Sequence, residues 1–220
     1  MAVNESFDLA GPAGRLEAIL MNPATAPVAA AVVCHAHPLH GGMMHFKVVF
    51  RAARALQSAG LAVLRFNFRG VGRSEGTFNE GRGEQDDARA ALDEMERRFA
   101  GRPLVLGGFS FGAVVALEVG RRDPRVRALF VLGYPAAFLE EVPPLDGEDR
   151  PRLFVQGEND PFGSGEAVRS LVEPLPRGHT LVVVPDTNHF FDGRLDEMQG
   201  AICSWAEQRP WTSDGPEGKA

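Results

Sequence analysis

Two cysteines in 220 residues are too few for a disulfide framework. Cys34 ends an apolar run and Cys203 lies in a helical one, so both read as buried free thiols. Positive charge is also in short supply. Lys and Arg number 23 against 29 Asp and Glu, a net charge of -6, which argues against a nucleic-acid partner because such proteins carry a basic patch or stripe. No apolar run approaches the roughly 20 residues that span a bilayer, so no membrane association is expected. Met1-Ala2-Val3-Asn4-Glu5 contains no basic segment leading into an apolar core, so no signal peptide is read and the expected location is cytoplasmic. Internal repeats and low-complexity blocks are absent, and nothing in the pattern marks an oligomer interface. The remaining composition, 44% hydrophobic and 24% charged, is that of a globular protein. It fits a single domain over residues 1–209, and the polar Gly- and Pro-containing end over residues 210–220 reads as a loose tail.

Apolar runs set the order of elements. Residues 3–21 read as two antiparallel strands around a turn at Gly11-Pro12-Ala13-Gly14. Val28–Cys34, Leu61–Leu64, Pro103–Gly107, Val126–Leu132, Arg152–Gln156 and Leu181–Val184 read as short strands, Val28–Cys34 apolar enough to be buried on both faces. Between them, Phe46, Val49, Phe50, Ala53 and Leu56 fall at helical spacing before a stop at Gly60. Ala88, Ala91, Leu92, Met95 and Phe99 form a second stripe, and Leu195, Met198, Ile202 and Trp205 a last one. The segment after Gly112 is apolar almost all round and reads as a buried helix. Strands alternating with helices predict an α/β fold with a largely parallel sheet. Residues 135–151, with Pro143-Pro144 and several acids, read as a surface loop or minimal lid, too short for a cap domain.

The chemistry centres on Gly108-Phe109-Ser110-Phe111-Gly112, a G-x-S-x-G turn set between a strand and a buried helix. That context exposes a serine hydroxyl on a sharp turn above a sheet, and the glycines leave room for the bend. A serine hydroxyl is a weak nucleophile and needs a base, which in turn needs an orienting acid. For this motif the partners follow in the order acid, then histidine. Asp160 lies just past the strand ending near Gln156, and His189 just past the strand ending at Val184. Loops at the carboxyl ends of strands form the site in open α/β sheets. Ser110 is therefore the expected nucleophile, His189 the base and Asp160 its orienting acid. Asp186 and Asp192 are rivals for the acid, with Asp192 also reading as the N-cap of the last helix; Glu158 is a weaker neighbour.

The oxyanion formed on attack requires two donors. One is expected from the Phe111 N–H, and the other from the loop His35-Ala36-His37-Pro38-Leu39-His40-Gly41-Gly42. His37 is preferred there, since Pro38 has no N–H. Phe109, Phe111, Phe138, Phe162, Phe190 and Phe191 are candidates for an aromatic acyl pocket. Phe111 and Phe190 are placed at the substrate because each directly follows an expected catalytic residue.

The His35–Gly42 loop, Lys47-Val48-Val49 and Arg65-Phe66-Asn67-Phe68-Arg69-Gly70-Val71-Gly72-Arg73-Ser74 resemble a family of small bacterial α/β-hydrolases related to dienelactone hydrolases. With the elbow, Asp160 and His189, the resemblance touches segments from residue 32 to residue 192. It implies an α/β-hydrolase fold with an eight-stranded, mostly parallel sheet, helices on both faces and no cap domain. It further implies a carboxylesterase-like activity on small or short-acyl esters, a small-molecule ester substrate and no cofactor. Dienelactone hydrolases use a cysteine nucleophile, so Ser110 is a departure that argues against dienelactone itself as substrate.

Other readings of the same residues compete. His35, His37, His40 and His45 crowd one stretch and invite a metal, but H-E-x-x-H is absent and no acid stands at ligand spacing. Gly70-Val71-Gly72 lacks the third glycine of a dinucleotide loop, because Glu75 stands there; Arg69 and Ser74 read as structural. The same triad would serve a thioesterase or a peptidase, and a hydrolase fold can be kept as a non-catalytic binding module.

Overall fold

The computed structural model describes residues 4–139, 150–175 and 178–212. Strands β1 (Asn4–Gly11) and β2 (Gly14–Met21) form the expected hairpin, with Gly11 opposite Gly14 at the turn. β3 (Ala29–Cys34), β4 (Leu61–Phe66), β5 (Leu104–Phe109), β6 (Val126–Leu132), β7 (Arg152–Gly157) and β8 (His179–Val184) complete one eight-stranded sheet in the order β1-β2-β4-β3-β5-β6-β7-β8. The hairpin is antiparallel, as is the junction of β2 with β4, and every other pairing is parallel.

Helices cover both faces, which is why the inner strands read as unbroken apolar runs. α1 (Lys47–Ser58) and α5 (Leu195–Glu207) pack one face through Val48, Val49, Ala52, Leu56, Met198 and Ile202. α2 (Arg82–Arg98), α3 (Phe111–Gly120) and α4 (Gly165–Val172) pack the other through Ala88, Leu92, Ala113, Ala116 and Val168. All residues of β3, β4, β5 and β7 are buried. Parallel strands with crossover helices bring the carboxyl ends of β3 to β8 to one edge, where the loops bearing Ser110, Asp160 and His189 emerge.

Several sequence expectations need correction. Phe50 lies at the margin of the α1 stripe, beyond the sheet's cover; it is half exposed and the Arg65 guanidinium sits over its ring at 5.3 Å. Cys203 is half-buried on the flank of α5, with Sγ 3.4 Å from Glu207 Oε1, whereas Cys34 is fully buried as expected. Asp192 is not the cap of α5. Gly193 turns into the left-handed region at φ 74°, the helix begins after Arg194, and Asp192 instead accepts from the Asn188 amide at 3.0 Å. Of the expected lid segment, a single 3-10 turn at Ala136–Phe138 is described, and residues 140–149 lie outside the described residues. Trp211 is buried against Trp205, so packing continues into the segment read as a tail, while residues 213–220 lie outside the described residues.

Candidate active site

Ser110 stands between β5 and α3 with φ 56° and ψ -121°, a conformation that L residues rarely adopt. The turn is held by Ser110 N–H donating to Leu132 O at 2.9 Å and by Ala113 N–H donating to Ser110 O at 2.9 Å. The flanking glycines leave room for the bend without adopting positive φ. They allow close approach. A Cβ on Gly108 would fall 2.5 Å from Gly112 O and 2.7 Å from Cys34 O, and one on Gly112 would fall 2.4 Å from His35 O. The elbow is thereby pressed against the end of β3, and the serine itself carries the strained backbone.

His189 and Asp160 meet. His189 Nδ1 lies 2.7 Å from Asp160 Oδ2, and both residues are buried. A carboxylate can only accept, so Nδ1 carries the proton and Nε2 of the neutral ring is left as the basic nitrogen. Asp160 is fixed by two further donors: Phe162 N–H to Oδ1 at 2.8 Å and the Gln156 amide to Oδ2 at 2.7 Å. Gly157 lets the two loops converge, since a Cβ there would fall 2.4 Å from Asn188 O. The rival acids are engaged elsewhere. Asp186 is exposed and pairs with Arg194 at 3.7 Å, Glu158 accepts from the Asp186 N–H at 3.0 Å, and Asp192 holds Asn188.

The residue before Ser110 packs against this pair. The Phe109 ring is fully buried and packs 4.7 Å from the His189 ring, and Gly133 (φ 56°) fits between them, where a Cβ would fall 2.8 Å from Phe109 and 3.1 Å from His189. Phe111 opens α3. The first N–H groups of a helix have no intrahelical acceptor, and they lie at the positive end of its dipole. The Ser110 side chain does not cap them.

The loop after β3 packs beside that helix end. The His37 ring lies 5.0 Å from Phe111, 4.9 Å from Phe78 and 4.5 Å from His40, and burial followed by the neighbouring His40 lowers its pKa. His37 Nδ1 accepts from the Leu39 N–H at 3.2 Å. His35 is fully buried with both ring nitrogens bonded to backbone. Nε2 accepts from the Phe68 N–H at 3.0 Å, and Nδ1 donates to Ala36 O at 2.7 Å. Burial lowers its pKa to about 4. The described residues contain no group of three or more His, Cys, Asp or Glu that could hold a metal ion.

The candidate pocket aromatics divide into two sets. Phe109 and Phe191 are fully buried and belong to the core, Phe191 with φ 54°. Phe111 is half-buried, while Phe162, Phe190 and Phe138 are exposed. Phe162 and Phe190 flank His189 edge-on, at 4.7 and 5.3 Å, and Phe138 extends the row from Phe162 at 6.0 Å.

The sequence model for the alpha/beta hydrolase domain matches residues 29–201. The chain belongs to the alpha/beta hydrolase family. An uncharacterized protein of Rickettsia prowazekii is 35% identical over 207 residues, covering 87% of this hydrolase and 84% of that protein. Two solved structures superpose with a TM-score of 0.84. One is an alpha-beta serine hydrolase homologue from Coxiella burnetii, 35% identical over 91% of this chain and 96% of that one. The other, from Xanthomonas campestris, is described as a serine hydrolase without lid; it is 36% identical and 97% of each chain is covered. The resemblance read from residues 35–42 and 65–74 is thus borne out, as is the eight-stranded fold.

One residue of this hydrolase's site escaped the sequence reading. Gln156 is the one polar side chain in the run Leu153-Phe154-Val155-Gln156, and its amide also donates to Gly163 O at 2.6 Å while its oxygen accepts from the Tyr134 N–H at 2.7 Å. A polar residue closing an apolar strand was its signal. Arg69 is structural as expected, clamping the buried Asp87 carboxylate through Nε at 3.0 Å and Nη2 at 2.7 Å; Ser74 bonds Asn67 O and the Glu17 N–H.

Proposed function

We propose that this alpha/beta hydrolase is a carboxylesterase that cleaves small or short-acyl esters through an acyl-enzyme on Ser110. The observation that carries the reading is the 2.7 Å bond from His189 Nδ1 to Asp160, which leaves Nε2 as the basic nitrogen.

In the proposed reaction Ser110 Oγ attacks the ester carbonyl carbon and His189 Nε2 takes its proton. Asp160 holds the ring and stabilises the imidazolium. The carbonyl oxygen becomes an oxyanion facing the N–H of Phe111, at the positive end of α3, with the His37 N–H as second donor. Collapse breaks the bond to the leaving oxygen, which receives the proton from His189. Water, deprotonated by the same nitrogen, then releases the acid and restores Ser110. Phe111 and Phe190 are the proposed substrate contacts, and Phe162 joins them because its ring stands against His189 with its outer side exposed. Two free thiols favour a cytoplasmic setting.

The test is turnover of p-nitrophenyl esters of increasing acyl length, with acyl-CoA and aminoacyl substrates alongside. The proposal expects the short esters to be preferred, and Ser110→Ala and His189→Ala to lose their turnover. Preference for thioesters or peptides would move the activity to another acyl-transfer class, and full activity in Ser110→Ala would remove the mechanism.

A further inference from the structure

The carbonyl groups around the β3 exit loop are held in two ways. His37 O accepts from the N–H of His40 and of Gly42, both at 3.0 Å, so the turn itself fixes the peptide that follows His37. The peptide before it, Ala36–His37, lies beyond the end of β3 and has a side chain as the partner of its carbonyl: His35 Nδ1 donates to Ala36 O at 2.7 Å. The proton must be on that nitrogen. Nε2 accepts from the Phe68 backbone N–H, an obligate donor, and Ala36 O is an obligate acceptor. Both bonds demand the same neutral tautomer, so the ring has no freedom to reverse its polarity.

A trans peptide points its N–H opposite to its carbonyl, and no cis peptide bond occurs among the described residues. Holding Ala36 O against the His35 ring therefore directs the His37 N–H the other way. We propose that His35 is a positioning residue of the oxyanion hole: its Nδ1–H fixes the Ala36 carbonyl and, through the rigid peptide, aims the His37 N–H. This rests on the reading of His37 as the second oxyanion donor.

Three further observations fit. An apolar side chain could fill the same volume beside Phe68, whose ring lies 4.7 Å from His35, but it could not hold a carbonyl in one direction. The Phe68 end of the bracket is itself anchored, since the next N–H, of Arg69, donates to the buried Asp87 carboxylate at 3.0 Å. Gly42 is pressed against the same peptide, and a Cβ there would fall 2.0 Å from Ala36 O. The peptide is thus held by a hydrogen bond and by a steric stop.

Two substitutions separate the two bonds of the ring. An asparagine amide nitrogen falls near the position of Nδ1 and can still donate to Ala36 O. A glutamine terminal group falls near Nε2 and can still accept from Phe68. Each variant loses one buried bond, so a purely structural role predicts that stability falls alike in both and that kcat follows the folded fraction. The positioning role predicts a split. H35Q loses kcat by about 100-fold, the scale of one lost oxyanion donor, H35N retains kcat within about tenfold, and KM moves by less than about threefold in both.

The experiment measures kcat and KM on a p-nitrophenyl ester, thermal unfolding, and Ser110 labelling by a fluorophosphonate for wild type, H35N, H35Q and G42A. Gly42 has no positive φ, so alanine is tolerated by the backbone while its methyl must displace Ala36 O. If the His35 variants do not fold, G42A carries the test, with kcat expected to fall at least about tenfold at nearly constant KM. Equal kcat in folded H35N and H35Q, or wild-type kcat in folded G42A, overturns the proposal. A wild-type protein that does not label on Ser110 overturns instead the hydrolase reading beneath it.

Discussion

Gln156 donates to Asp160 Oδ2 at 2.7 Å, and the same oxygen accepts from His189 Nδ1 at the same distance. The amide is buried and is anchored at its other ends to Gly163 O and the Tyr134 N–H, so it is a fixed strut behind the carboxylate. It sets where Oδ2 lies, and therefore how the imidazole of His189 is held.

Removing that strut has a cost in stability and a cost in rate. Gln156→Leu leaves the buried Asp160 carboxylate and Gly163 carbonyl each short of a donor, and an unmet buried polar group costs about 1–3 kcal/mol. Urea unfolding should show a loss of that order, and kcat should fall roughly tenfold or more as the base loses its fixed geometry. Gln156→Glu sets a second carboxylate against Asp160 and should lower kcat further than leucine does. Wild-type kcat in both variants would show that Asp160 is held well enough by Phe162 N–H and His189 alone.

How much of this was legible in the sequence depends on the kind of signal. The strands and the buried helix α3 were legible because burial on both faces leaves no room for polar residues, and the elbow, Asp160 and His189 because each sits at a fixed place relative to a strand end. α4 was not read, although Ala167, Val168, Leu171 and Val172 fall at helical spacing over its eight residues and Ser164 caps it by accepting from the Ala167 N–H. The Asp192 cap failed because Gly193 intervenes with a left-handed turn, which no local pattern announces. Phe109 and Phe191 looked like Phe162 and Phe190 in sequence, and only packing separates core rings from exposed ones. His35 was read as a member of a histidine cluster, since its bond to Phe68, 33 residues away, belongs to the fold alone.

The buried His35 gives a stability that depends on pH. Its folded pKa is lowered to about 4, from the ordinary 6.5 of histidine, because burial disfavours the charged ring. The unfolded chain therefore binds the proton more readily, so stability is full above pH 6.5 and declines as pH falls from there toward 4. A shift of this size is worth roughly 3 kcal/mol. Measured as the difference between wild type and H35N in chemical denaturation from pH 7 to pH 4, that loss should be present in wild type and missing from the variant. Parallel curves would place the acid sensitivity elsewhere.

Ser110, the proposed nucleophile, has a backbone conformation that suits glycine, φ 56° and ψ -121°. Strain of this kind costs on the order of 1–3 kcal/mol, while glycine adds up to about 1 kcal/mol of unfolded-state entropy. Ser110→Gly should thus be inactive yet more stable than wild type by about 1 kcal/mol. Ser110→Ala keeps the strain and should be inactive with little change in stability. A Ser110→Gly protein less stable than Ser110→Ala would mean that the elbow is not strained.

In the proposed mechanism Ser110 Oγ is the atom that becomes acylated. Treating the protein with a fluorophosphonate and locating the adduct by peptide mass mapping checks this. One stoichiometric adduct is expected on the peptide that contains Ser110, lost in Ser110→Ala and strongly slowed in His189→Ala. An unlabelled wild type, or an adduct on another residue that persists in Ser110→Ala, would contradict it.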